Sequence, residues 1–418
     1  MLLLGLCGCR TAAPVGIHGR VAPGFENVQT EFARNFASRG EKGAALAVMY
    51  RGELVVDLWG GERNPQHDAW EEHTLVPVYS TTKGIGALAL AVAHARGWFS
   101  YDSTVATYWP EFAQNGKARI TVRQLLSHEA GLVLLDQPVP LALVRDLDAL
   151  AVVLARQRPR WEPGAKHGYH LSTLGFYMNE LLRRVDPSHR SIGRFVQDEL
   201  VGPARTFTSA AWPLEFYIGV PDSLTRTRVA HVHTVSPLGG MAHFADPPAA
   251  VLFRMMWPKS LFARTMSIPK GFDVNDPQWW RTEIVSGLGI GSARSIATLY
   301  GLFATGGSAF GLDAATRSAI EAAPHVPRAG PKDAVVGVDM YLSLGFMKPS
   351  PSLTWGSSAR AYGMPGAGGS FGFADPDAQL GYAYVMNKMG YRLDDDPREL
   401  ALRRAVYGAL KDRARQQR

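Results

Sequence analysis

The chain has 418 residues, 46% of them hydrophobic and 19% charged, enough to bury a sizeable core and more than a typical single domain. It carries no low-complexity tract and no internal repeat, which excludes a disordered or solenoid protein. The net charge of +7, from 44 basic against 37 acidic residues, is dispersed apart from the tail "LKDRARQQR". No basic stripe with interleaved aromatics marks a nucleic-acid partner.

Both cysteines, Cys7 and Cys9, fall in the opening "MLLLGLCGC", too close together for an unstrained disulfide. That opening resembles the end of a lipoprotein signal but lacks a basic n-region and an apolar run of about 7 to 15 residues. Residues 1–20 are therefore read as a leader or a disordered N-terminus. No later run reaches the roughly 18 apolar residues of a membrane span. A cytoplasmic location is the expectation, with export or a lipid anchor as the alternative.

The first predicted element is a helix in "ENVQTEFARNFASRG", with apolar residues at helical spacing and Gly40 as its stop. "AALAVMYRGELVVDLWGG" then reads as two antiparallel strands turning at Arg51 and Gly52. "VPVYSTTKGIGALALAVAHARGW" follows as a long helix, apolar nearly all round after Lys83 and ended by Gly97, which marks an element inside the molecule. Between about residues 101 and 280 the pattern is mainly helical, clearest in "TVRQLLSHEAGL", "LDALAVVLARQ" and "STLGFYMNELLRRV". "GIGSARSIATLYGLFATGG" predicts a helix returning to the first lobe. Strands follow in "GSFGFADP" and "QLGYAYVMNKM", turning at residues 375–377, before a charged helix in "PRELALRRAVYGALKDRARQ".

Strands at both ends with a helical middle predict an α/β (α+β) fold, one antiparallel sheet built from distant segments and flanked by helices. Residues 21–418 would form one domain, with 21–100 and 281–418 as a sheet lobe and 101–280 as an inserted, mainly helical lobe. The cleft between the lobes is the expected place for a site.

Within this frame Ser80 and Lys83 stand three positions apart at a helix start, on one face and about 5–6 Å apart at Cβ. A lysine desolvated there can lose its proton near neutral pH and act as base toward the serine. The plainer reading makes Ser80 an N-cap and Lys83 a solvated first-turn residue. S-x-x-K recurs at Ser267 and Lys270, where Pro269 disfavours a helix. A rival nucleophile, Ser370, lies in "GGSFG", which fits the G-x-S-x-G elbow. That fold needs a later histidine, and the last histidine, His325, precedes Ser370. A glycine-rich strand near a ligand is the preferred reading there.

"YSTTKGIGALAL", "ITVRQLLSHEAGL", "WEPGAKHGYHLSTLGFYMNELLRRV", "SGLGIGSARSIATLY" and "YGMPGAGGSFGFADPDAQLGYAYVMNKM" occur in the order and spacing of the serine β-lactamase-like superfamily. The chain resembles most closely its family VIII carboxylesterases and related β-lactamase-domain proteins. The resemblance, from about residue 20 onward, implies a β-lactamase/D,D-peptidase-like fold. It also implies a catalytic Ser80, Lys83 and Tyr169, with the amides of Ser80 and Ala367 as oxyanion hole and Gly366 beside them. Such a phenol, near a cation, can lose or share its proton.

Where relatives carry Lys-Thr-Gly, His-x-Gly or Trp-x-Gly, this chain has Met364, Pro365 and Gly366, removing a donor for a substrate carboxylate. Leu171 and Leu288 replace residues that are often polar in relatives, which predicts either a more apolar cleft or decayed activity. His128 is read as structural. His231 and His233 are read as unlikely metal ligands because no third ligand is evident. The resulting expectation is a serine esterase cleaving small carboxylic esters with short acyl chains through an acyl-enzyme, with no cofactor and no metal. Acyl transfer, weak β-lactamase or D,D-peptidase activity and a non-catalytic scaffold are the alternatives.

Overall fold

The computed structural model describes residues 15–207, 213–235, 249–351, 353–392 and 395–416; Cys7 and Cys9 lie outside them. The first element is a strand, β1 (Ile17–Val21), paired antiparallel with a later strand. It takes in residues that the sequence assigned to a leader or disordered N-terminus. "IHGRV" has its three central positions exposed, so an edge strand of this kind leaves almost no apolar pattern to detect.

Helix α1 (Glu26–Ser38) leads into β2 (Gly43–Tyr50) and β3 (Glu53–Gly61). Arg51 and Gly52 both take positive φ between the two strands, the backbone that a tight hairpin turn demands and that glycine adopts without strain. A short strand, β4 (Val76–Pro77), then delivers the chain to α2 (Thr81–Ala95). The helical lobe follows with α3 (Val122–Leu126), α4 (Leu147–Arg156) and α5 (Thr173–Val185). Strands β5 (Phe216–Ile218) and β6 (Gly289–Gly291) join β4 in a small three-stranded sheet.

Next come α6 (Ala293–Ala304), β7 (Leu342–Ser343), β8 (Phe346–Met347), β9 (Tyr362–Pro365), β10 (Phe371–Asp375), β11 (Leu380–Met386) and α7 (Pro397–Gln416). The main sheet has eight strands in the order β1-β3-β2-β11-β10-β9-β8-β7, antiparallel throughout. The N-terminal hairpin therefore pairs with a strand more than 300 residues later through the register Leu46↔Tyr384.

Both faces of this sheet are covered, which is why β2 reads as a continuous apolar run and not as an alternation. Ala44, Leu46 and Val48 join the core under α1 and α7, while Ala47 and Met49 join the core under α6. Successive strand residues point to opposite faces. Helix α2 lies at the junction, against α5 on one side and β9 and β10 on the other. Its residues from Thr81 to Ala93 are all buried, which explains its lack of a polar face. Among the described residues, no helix is long and apolar enough to cross a membrane.

Helix α3 is shorter than its segment suggests. A capping box between Thr121 and Gln124 starts it, but His128 takes φ +63° and turns the chain away after one turn and a half.

Candidate active site

The site begins with the turn from β4 into α2. Tyr79 has φ +48°, a left-handed conformation costing a bulky residue about 1–3 kcal/mol. The Thr82 hydroxyl holds the turn, donating to the Tyr79 carbonyl (2.5 Å) and accepting from the Gly289 amide (2.7 Å). Ser80 follows at φ −64°. Its hydroxyl makes no capping bond to the helix and stays half-buried. The plainer reading of Ser80 as an N-cap therefore does not describe its side chain.

Lys83 is fully buried, not solvated. Its Nζ donates to the Leu171 carbonyl (2.7 Å), the Ser286 carbonyl (2.5 Å) and Ser80 Oγ (3.2 Å). The two carbonyls come from segments more than 100 residues apart that are themselves cross-linked. The Ser286 hydroxyl donates to the Ser172 carbonyl and accepts from the Gly175 amide. Burial lowers the Lys83 pKa to about 7, with no carboxylate bonded to it among the described residues, so an appreciable share is neutral at physiological pH. Two N–H bonds of a neutral amine satisfy the two carbonyls, which leaves its lone pair for the Ser80 hydroxyl.

Tyr169 completes the cluster. Lys83 Nζ lies 5.0 Å from its ring centroid, and the Ser80 side chain is near enough to act on its phenol. Burial pushes its pKa well above the ordinary phenol value, and the charge of Asp333 adds to the rise, against a lowering effect of Ser80. Desolvation thus favours the protonated phenol of Tyr169 and the neutral amine of Lys83.

The segment around Tyr169 is fixed amide by amide. The Gly168 N–H donates to the His128 carbonyl (3.0 Å) and the His170 N–H to His128 Nδ1 (2.8 Å). The Asp333 carboxylate, whose charge acts on Tyr169, accepts from the Val335 and Val336 N–H groups (both 2.8 Å). Burial raises the Asp333 pKa to about 6 against these amide bonds.

The end of β9 closes the cleft. The Gly366 N–H is taken by the Ser370 carbonyl (2.7 Å), so Gly366 is not a free oxyanion donor. What Gly366 supplies is space, since a Cβ there would collide with the Val78 carbonyl and Ser370 Oγ. The strand end thus packs directly on the turn that carries Ser80. The next residue, Ala367, is exposed. Ser370 is buried and donates to the Val78 carbonyl (2.9 Å), with Thr81 Oγ1 at 3.3 Å. It ties β10 to the nucleophile turn and is not itself presented to solvent.

Met364 is 1% exposed and belongs to an apolar cluster with Tyr169, Val133, Leu134 and Phe262, against which Leu171 packs. Leu288 is instead fully buried in the central core, so it does not line the cleft as expected. Ser267 and Lys270 are both exposed, and the Ser267 hydroxyl closes a helix end on the Arg264 carbonyl (2.8 Å). His231 and His233 meet edge to face at 5.4 Å, and no group of three potential metal ligands occurs among the described residues.

Sequence reasoning did not single out Ser286, Thr82 or Asp333. Ser286 acts partly through its carbonyl, and a backbone carbonyl carries no residue-specific signal.

The fold and the arrangement around Ser80 define a hydrolase of the serine β-lactamase fold. A family model described as Beta-lactamase matches residues 29–406, and the chain belongs to that family. It is 28% identical over 379 residues to the Esterase/beta-lactamase LipL of Mycobacterium tuberculosis (strain ATCC 25618 / H37Rv), covering 89% of this chain and 83% of that protein. Among solved structures it resembles a family VIII carboxylesterase with a TM-score of 0.80 and 34% identity, over 94% of this chain and all (100%) of that one. A penicillin-binding protein homologue from Caulobacter crescentus matches with a TM-score of 0.78 and 34% identity over the same shares, 94% and 100%.

Proposed function

We propose that this protein is a carboxylesterase that cleaves small carboxylic esters with short, apolar acyl groups through an acyl-enzyme on Ser80. The observation that carries the reading is the Lys83 amine. It is buried, held by two carbonyls, and directed at Ser80 Oγ, with no carboxylate bonded to it among the described residues.

In acylation, Ser80 Oγ attacks the ester carbonyl as its proton passes to neutral Lys83. The developing oxyanion lies against the amides of Ser80 and Ala367. Tyr169 gives its proton to the departing alkoxide and is recharged by the Lys83 ammonium, which restores both groups. Water then attacks the acyl carbon, its proton goes to Lys83, and the Ser80 oxygen leaves with a proton as the acid is released. No metal or cofactor enters the balance.

Ester over β-lactam is favoured by Met364. A buried thioether in the apolar cluster around Tyr169 replaces the side-chain donor that would bind a substrate carboxylate, so a neutral substrate with an apolar acyl group fits better. The family VIII carboxylesterase, similar over most of this chain, supports the same choice, and LipL, named for both activities, is compatible with it.

The test is hydrolysis of nitrophenyl esters of increasing acyl length, run beside a chromogenic cephalosporin. The wild type should turn over the short esters fastest and the cephalosporin poorly. Ser80→Ala should lose at least about 10³-fold in kcat and all labelling by a fluorophosphonate probe. A Ser80→Ala variant that still turns over the ester removes Ser80 as the nucleophile.

A further inference from the structure

The proposed reaction needs Tyr169 at one place above Ser80, yet a tyrosine hydroxyl sits at the end of a long lever. A small rotation of the backbone at residue 169 moves the hydroxyl by much more than it moves the Cα. The two amides that flank this residue both end on one residue from another segment.

His128 is fully buried and lies just past the end of α3, with φ +63°. This left-handed backbone lets its carbonyl and its ring face the same strand of chain. The carbonyl accepts from the Gly168 N–H at 3.0 Å and Nδ1 accepts from the His170 N–H at 2.8 Å, so the amides on either side of Tyr169 both end on His128. The ring also lies against the Tyr169 ring, with centroids 5.0 Å apart and planes at 36°. The same short segment presents the Leu171 carbonyl to Lys83 (2.7 Å), so one clamp aligns part of the lysine cradle as well as the phenol.

The ring chemistry fits a dedicated acceptor. A backbone N–H only donates, so Nδ1 holds a lone pair and the neutral ring carries its proton on Nε2. The hydrogen bond that the ring makes among the described residues is the one Nδ1 accepts from His170.

We propose that His128 is the positioning residue of this site, fixing the two amides that flank Tyr169 and so placing the Tyr169 hydroxyl over Ser80. The inference rests on the Ser80, Lys83 and Tyr169 reading and deepens it.

The experiment compares His128→Asn, His128→Gly and His128→Gln for kcat and KM on a short nitrophenyl ester, each also in a Tyr169→Phe background. Asparagine and glycine both tolerate the left-handed backbone, but only asparagine puts an oxygen where Nδ1 lies. Glutamine puts its oxygen where Nε2 lies, beyond the His170 amide. His128→Gly and His128→Gln should lose about 30- to 100-fold in kcat, the scale of a misplaced catalytic group, with KM within about threefold. His128→Asn should recover most of that loss. In the Tyr169→Phe background, His128→Gly should cost little further, because both changes remove the same function.

If His128→Gly does not fold, the contrast between asparagine and glutamine decides alone. Equal rates for those two variants, or an undiminished loss in the Tyr169→Phe background, would overturn the positioning role while leaving the catalytic reading intact. A fully active Tyr169→Phe enzyme would remove both.

Discussion

The molecule buries two lysines with the same lowered pKa in two regions, and only one of them sits where it can act as a base. Lys348, the residue after β8, is 1% exposed and donates to the carbonyls of Ile320 (3.0 Å), Glu321 (3.1 Å) and Arg360 (3.1 Å). Burial lowers its pKa to about 7, the same as for Lys83. A shifted pKa therefore does not mark the catalytic amine. The acceptors do. Three carbonyls call for three N–H groups, and deprotonation would set a lone pair against one of them. Lys83 faces two carbonyls and one hydroxyl, and a hydroxyl can turn from acceptor to donor. Lys83 gives up its proton without orphaning a partner; Lys348 cannot. Lys117, held by the carbonyls of Gln114, Ala155 and Gln157 (2.9, 2.8 and 2.6 Å), repeats the structural pattern in the helical lobe.

Methionine substitutions separate the two kinds of lysine most sharply. Lys83→Met should lower kcat by about 10²–10⁴-fold, the usual contribution of a general base. Lys348→Met should leave kcat near the wild-type value and instead cost at least about 1–3 kcal/mol of stability, since buried carbonyls lose their donor. Steady-state rates and thermal unfolding on both variants check this. A Lys348→Met enzyme that unfolds normally but turns over slowly would break the comparison.

A smaller effect should appear in the pH dependence. Lys83 must be neutral to accept the Ser80 proton, so kcat/KM on a neutral ester should rise through a single limb near pH 7, then level off. Burial raises the Tyr169 pKa, so no descending limb from this phenol should follow in the mildly alkaline range. Stability should move the same way. Each amine has a pKa of 10.5 unfolded and about 7 folded, so between those values the unfolded chain binds more protons. Stability then climbs as pH rises from about 7 toward 10.5, and Lys83→Met should flatten the climb when melting is compared at pH 7 and pH 9. An unchanged rate limb in Lys348→Met would assign that limb to Lys83.

How much of this was legible in the sequence follows from what each feature is made of. Side-chain identity at fixed spacing was readable, and the fold does bring Ser80, Lys83 and Tyr169 together. Turn chemistry was readable too, since Arg51 and Gly52 sit where the hairpin reverses. The acceptors that distinguish Lys83 from Lys348 were not, because they are main-chain oxygens that any residue could provide. The shortness of α3 was hidden as well. Nothing in "LLSHEAGL" announces that His128 turns left-handed, and the reason lies in amides about 40 residues away. β1 escaped because an edge strand with one lightly buried face has no alternation to read. The partner of the Gly366 amide was hidden too, because spacing shows which residue stands at a strand end, not whether its N–H is already bonded.

The smallest predicted effect concerns Ser370, which contrasts with Ser80 as Lys348 does with Lys83. Both serines lie near the cleft, and both fit a nucleophile motif. Ser370 Oγ is buried and spends its proton on the Val78 carbonyl at 2.9 Å, two residues before Ser80. Ser370→Ala removes this tie between β10 and the nucleophile turn without touching Lys83 or Tyr169. The loss should be about 1 kcal/mol of stability, the net worth of one hydrogen bond. With the turn still held by Thr82, kcat should fall by no more than about tenfold, since 1.4 kcal/mol of transition-state stabilisation is a factor of ten. Labelling by a fluorophosphonate should remain, and a digest should place the label on Ser80. A Ser370→Ala protein that resists the probe would mean that the hydroxyl tying the sheet to the turn is itself the reacting group, and the contrast between the two serines would reverse.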